Sequence, residues 1–65
     1  MKVVYDPQVD VLRIILRDVS VVESDEERPG VILDFDAEGN VVGIEVLDAS
    51  RNVANPQSVE IGLAS

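Results

Sequence analysis

Residues 34–45 have the composition and spacing of a calcium-binding loop. Acidic residues stand first, third, fifth and twelfth in this segment and glycine stands sixth, as in an EF-hand loop, although Glu38 is fifth where Asp or Asn is usual. An EF-hand loop lies between helices, whereas β-branched runs flank this one, and an extended strand carries Glu45 away from the turn. We therefore predict an acidic hairpin. The alternative is a module that binds a small ligand or divalent cation through Asp34, Asp36, Glu38 and Glu45.

The chain has few residues suited to catalysis. Asp34, Asp36 and Glu45 share one face of the predicted hairpin, and paired carboxylates can act as general acid and base when burial separates their pKa values. A chain of 65 residues is too short to build a sugar-sized cleft around them. Histidine and cysteine are absent, so a serine has no base to activate it and zinc lacks its usual ligands. We predict that the protein is not an enzyme and has no catalytic, cofactor-binding or metal site.

Acidic residues dominate the charge of the chain, with 13 Asp and Glu against 5 Lys and Arg and a formal net charge of -8. Such a surface repels phosphate backbones and anionic lipids, which excludes nucleic acid and membrane partners. The densest run, residues 23–27, is typical of a solvated sheet edge. It would also suit a basic protein partner, with Glu23, Asp25, Glu26 and Glu27 as contact acids. Residues 1–7 lack the apolar stretch of a secretory signal, so we expect a cytoplasmic protein.

Short β-branched runs separated by turn residues predict a mainly β, small α+β fold, namely an antiparallel β-meander of about five strands with a short C-terminal helix. Asp6 and Asp10 flank the first turn and are interpreted as turn residues. The helix is predicted within residues 48–54, before Pro56. Residues 1–54 form the predicted domain, and residues 55–65 a tail that is either a sixth, edge strand or disordered. The predicted strands are residues 2–5, 11–16, 20–25, 31–36 and 41–47.

The hydrophobic pattern also chooses a register for the last hairpin. Pairing Asp36 with Val41 places Val31, Leu33 and Phe35 beside apolar residues of the next strand and collects the charges on the other face. A slip by one residue, which pairs Asp36 with Asn40, would mix charge with the apolar side chains. We therefore predict the first register.

The size of the chain predicts self-association. A five-stranded sheet needs one face covered, and about two turns of helix are too small to cover it. Below about 70–80 residues a single core rarely stabilises a fold without a disulfide, a metal or another subunit. Cysteine is absent, so we predict a homodimer. A monomer whose helix and tail cover the sheet is the alternative.

Several short motifs of this chain occur together in a known family. The matching segments are Tyr5-Asp6-Pro7, Asp10-Val11-Leu12, Pro29-Gly30-Val31, Asp34-Phe35-Asp36, Gly39-Asn40, Val42-Gly43-Ile44-Glu45 and Leu47-Asp48-Ala49-Ser50. In this series the chain resembles the small bacterial and archaeal family catalogued as domain of unknown function 2283. Members look like small β-meanders that end in a short helix, and no activity is established for them. Some are similar to the partner of a ribonuclease-type toxin, which implies an antitoxin-like role.

The sequence thus predicts an uncharacterised, non-enzymatic protein-interaction module that forms a homodimer and masks a basic partner. The alternative is the ligand- or cation-binding module of residues 34–45. A composite enzyme site at a dimer interface is a third, weaker hypothesis, because such a site could use only carboxylate chemistry.

Overall fold

The computed structural model describes residues 1–64 of the chain. It contains one sheet of five antiparallel strands and one short helix, which confirms the predicted mainly β, small α+β class. The elements are β1 Lys2–Asp6, β2 Val11–Ile15, β3 Glu23–Arg28, β4 Val31–Phe35, β5 Val41–Leu47 and α1 Ala49–Asn52.

The strand order is β1-β2-β5-β4-β3, so the sheet departs from an uninterrupted meander. β5 lies between β2 and β4, and residues 16–22 carry the chain from β2 to the far edge of the sheet. The composition of two of the strands agrees with this order. β5 is mostly apolar and takes the centre, where both of its sides are hydrogen-bonded, whereas the charged β3 keeps its solvation at an edge.

The prediction for β3 was wrong in position, because the strand covers Glu23–Arg28 rather than residues 20–25. Only Pro29 and Gly30 separate β3 from β4, and Gly30 has a φ of 83°, which a side chain would disfavour. This two-residue turn pairs Arg28 with Val31 and so extends β3 toward the turn. Val19, Val21 and Val22 instead lie exposed in the connection.

The predicted register of the β4–β5 hairpin is confirmed along most of the strands and wrong at the turn. Val31 pairs with Val46 and Leu33 with Ile44, as the segregated pattern requires. A bulge then shifts the register, and the Asp36 N–H donates to the carbonyl of Asn40 at 3.0 Å instead of pairing with Val41. The turn needs Gly39 at a φ of 81°, and the bulge reconciles its geometry with the apolar pairing.

The C-terminal part contains the short helix predicted within residues 48–54. α1 has four residues, and Val53 after it is extended with a φ of −119°. The segment that follows forms no strand within residues 53–64, so the edge-strand alternative is not realised there. Its apolar side chains are exposed and gain no burial that would offset the entropy of ordering a strand. Ser65, the last residue of the predicted tail, lies outside the described residues.

The register divides the sheet into two faces. On one face, apolar side chains form two rows across four neighbouring strands, and we call this the apolar face. On the other, the polar face, Arg13 lies opposite Glu45, and Asp34 lies opposite Gly43. The buried apolar residues among those described are Leu12, Val42 and Ala49, at 7%, 1% and 0% exposure. The two rows of the apolar face are Val3, Ile14, Ile44 and Leu33, and Tyr5, Leu12, Val46 and Val31.

Candidate functional site

The acidic edge strand β3 is the most prominent charged surface of the chain. All six of its residues are exposed, and four acids against the single base Arg28 give it a formal charge of −3. Strand alternation points Glu23 and Asp25 to the side of the apolar face and Glu26 to the side of the polar face. A bulge between Glu26 and Arg28 interrupts its pairing with β4. Charge and a bulge both discourage another strand from pairing with this edge, while the side chains stay available to a cationic surface.

A second acidic group lies on the polar face, where Asp34 is only 6% exposed. Its Oδ1 accepts a hydrogen bond of 2.6 Å from the Ser24 hydroxyl. Gly43 leaves the space for this carboxylate, since a Cβ at that position would lie 2.9 Å from Asp34 Oδ2. The neighbouring strand contributes Glu45. Burial, hydrogen bonding to Asp34 and the negative charge of Asp34 raise the pKa of the Glu45 carboxyl, and the charge of Arg13 partly opposes this.

A surface depression on the described part of the chain, residues 1–64, does not include these two carboxyls. That depression has a volume of about 320 Å³ and is lined by the start of β1 and the end of β2 with the residues that follow it. The contacts that position these carboxyls are with neighbours in the sheet, namely Ser24 for Asp34 and Arg13 opposite Glu45.

The acids of the alternative cation-binding module lie in separate places. Asp34 is buried beneath Ser24, whereas Asp36 closes the hairpin turn by accepting the N–H groups of Glu38 and Asn40, each at 2.9 Å. These bonds, that of Asn40 first, lower the pKa of Asp36. Glu45 lies along β5, away from the turn. Throughout residues 1–64, no group of three acidic side chains is placed to hold a metal ion.

Sequence reasoning missed a network around Asp10, which it treated as a local turn residue. The Tyr5 hydroxyl donates to Asp10 Oδ1 at 2.7 Å, and Ser50 donates its N–H to Oδ1 at 3.0 Å and its hydroxyl to Oδ2 at 2.7 Å. The Asp10 carbonyl also accepts the Ala49 N–H at 2.9 Å. The network therefore holds the start of α1 against the β1–β2 turn.

Ionisation of Asp10 is coupled to this network. The hydrogen bonds from the Ser50 side chain, the Tyr5 hydroxyl and the Ser50 N–H lower the pKa of Asp10. The hydrogen bond between Tyr5 and Asp10 also raises the pKa of Tyr5. Forty positions separate Asp10 from Ser50, so no local pattern could join them. The available signal was the shared presence of Tyr5, Asp10 and Ser50 in the motif series.

Fold and surfaces define a class: a small, acidic protein built on a single antiparallel sheet, with one charged edge and one apolar face. The family model for a protein of unknown function (DUF2283) matches residues 2–50, and the chain belongs to this family. The matched part ends at Ser50, the last member of the Asp10 network. Neither a curated protein nor a solved structure matches the chain. No helix within residues 1–64 has the length and apolar character needed to cross a membrane.

Proposed function

We propose that this chain is a non-enzymatic, cytoplasmic protein-interaction module that masks a basic surface of another protein. The observation that carries the proposal is β3, an edge strand with four acids among six exposed residues. In the concrete form of the proposal, the masked partner is a toxin-like ribonuclease, whose substrate-binding surface must be basic to attract RNA phosphates.

The position of the acids supports this role. Acids at successive positions of an exposed strand point to both sides of the sheet, so a concave basic surface can contact them from the edge. Electrostatic complementarity of this kind speeds association and depends strongly on salt. Glu23, Asp25, Glu26 and Glu27 are the proposed contact residues. The cation-binding alternative has no comparable support, because its four acids do not converge.

Charge reversal tests the proposal, with the same change in net charge in the variant and in its control. One variant combines Glu26→Lys with Glu27→Lys on β3, and the control combines Asp18→Lys with Glu60→Lys, which are exposed and lie outside β3. An arginine-rich peptide serves as the defined basic probe in calorimetric titrations at several salt concentrations. We expect weaker binding and a flatter salt dependence for the β3 variant, and nearly unchanged binding for the control.

Equal losses in the two variants would show that net charge alone attracts the probe, which would contradict a site at β3. Unchanged binding in both would exclude an electrostatic interaction module. Circular dichroism of both variants verifies that the sheet is retained before the titrations are compared.

A further inference from the structure

We propose that the apolar face docks on the same face of a second copy, so that the folded protein is a homodimer. This inference does not depend on the basic partner, because it concerns a different surface from β3.

The central row of the apolar face lacks a covering layer. Val3, Ile14, Ile44 and Leu33 lie side by side on four neighbouring strands, and each of them is only half-buried although the row crosses the middle of the sheet. In a folded domain, the apolar side of a sheet packs against a second layer. The helix α1 contributes one buried residue, Ala49, to the described part of the chain. The row therefore needs a layer from outside the chain.

The last apolar side chains of the C-terminal segment do not supply that layer. Val59, Ile61 and Leu63 have the alternation of a strand, yet they are 57%, 68% and 93% exposed. They cannot bury the central row while they are themselves in solvent.

The exposed area has the size that a stable dimer requires. The chain has an accessible surface of 5069 Å² at a mass of 7.1 kDa, whereas a compact monomer of that mass exposes about 4,100 Å². The chain therefore exposes about 1,000 Å² more than a compact monomer of its mass. A standard stable interface buries about 800 Å² on each partner, which is less than this excess.

The distribution of charge favours docking through the apolar face rather than through the polar face. Docking through the polar face would bury Glu45 and Arg13, whose desolvation is costly. The apolar rows carry no charged residue on β1, β2, β4 or β5, and the charges of β3 lie at the rim. The rim position keeps these charges hydrated in the dimer.

We assign a second copy of the chain to the apolar face, because the fold of the single chain depends on having this face covered. Three buried apolar residues in the described chain are a small core, and chains of this size usually need a further staple. A copy of the same chain is present whenever the protein is made, and folding then becomes linked to dimerisation. A partner present only in some conditions would leave the chain without a stable fold in the others.

Two cysteine variants test both the dimer and the face, since the chain has no natural cysteine. Ile44 and Ile32 are both half-exposed in the single chain, but Ile44 lies on the apolar face and Ile32 on the polar face. Light scattering first gives the mass of the unmodified protein. Each of Ile44→Cys and Ile32→Cys is then labelled with a maleimide at high and at low protein concentration.

We expect twice the chain mass and a melting temperature that rises with concentration. Ile44→Cys should be labelled several-fold more slowly at high concentration than at low, and Ile32→Cys equally fast at both. A monomeric mass would overturn the proposal. This holds also if Ile44→Cys is protected in the monomer, because its own C-terminal segment would then cover the apolar face. A dimer that protects Ile32→Cys, or neither position, would also overturn it. If Ile44→Cys does not fold, Leu33→Cys replaces it on the same row.

Discussion

The two faces of the sheet differ in the contacts that bury their side chains. The polar face buries Asp34 within the single chain, because Ser24 donates to its carboxylate and Gly43 leaves room for it. The apolar face is free of charge at its centre, yet its central row is only half-buried. A polar group can be satisfied by one well-placed neighbour, whereas apolar area needs a whole opposing surface.

The largest effect is expected from a substitution that disturbs the packing around Asp34 on the polar face. In Gly43→Ala, the added Cβ meets Asp34 Oδ2 at 2.9 Å and the Ile14 carbonyl at 3.5 Å. Asp34 or the central strands must shift, and we expect a loss of about 1–3 kcal/mol in the free energy of unfolding, as for other overpacked sites. Urea unfolding at one fixed protein concentration measures it.

Gly62→Ala is the matched control, since no atom lies within 4 Å of a Cβ there. Its free energy of unfolding should change by less than about 0.5 kcal/mol. Equal stability of Gly43→Ala and the unmodified protein would show that the space beside Asp34 is not limiting.

A smaller loss is expected from the network at the end of the sheet. Asp10 has a φ of 56°, and asparagine tolerates this conformation, so Asp10→Asn removes the charge and leaves the backbone unstrained. At neutral pH the variant should melt at a lower temperature, because Ser50 and Tyr5 lose a charged acceptor. Asp6→Asn is the control, since Asp6 accepts only the nearby Gln8 N–H among the bonds found for it.

The pH dependence of that loss follows from the lowered pKa of Asp10. A carboxyl with a pKa below its ordinary 3.8 in the folded state stabilises the protein above pH 3.8, and the contribution is lost as pH falls through the folded pKa. The difference between Asp10→Asn and the unmodified protein should therefore narrow in melts carried out at increasingly acidic pH. A constant difference would mean that the charge of Asp10 is not involved.

The smallest effect has the opposite sign and concerns Glu45. Its pKa is raised in the folded state, so at neutral pH the native carboxyl ionises against burial and against Asp34, while the unfolded chain ionises freely. Stability therefore falls as pH rises from 4.5, the ordinary value, through the folded pKa. Glu45→Gln should raise the melting temperature modestly at pH 7 and lose this advantage below pH 4.5. A lower melting temperature at pH 7 would show that the Glu45 charge is favourable, through Arg13 opposite it.

Local chemistry in the sequence was enough to predict most of the fold. The residues of β5 were predicted without error, because an apolar run between Asn40 and Asp48 has clear ends. The β4–β5 register followed from separating charge from apolar side chains. The position of β3 was not predictable in the same way, since Val19–Val22 looks like a strand locally and the two-residue turn before β4 outweighs that pattern.

The same distinction between local and long-range contacts applies to the candidate functional surfaces. The acids of β3 are adjacent in sequence, so their shared surface could be predicted. The contact of Asp10 with Ser50 and the burial of Asp34 beside Glu45 join residues from different strands or turns, and they depend on the strand order.

The amino-acid sequence by itself determined the class of fold, the turns and the charge of the edge, because these follow from short-range preferences and composition. Only the tertiary structure decided that β5 lies at the centre, that Asp10 holds α1, and that Asp34 is buried beside Glu45. Those features depend on which strands become neighbours, and that choice is made by the burial of the whole sheet rather than by any one segment.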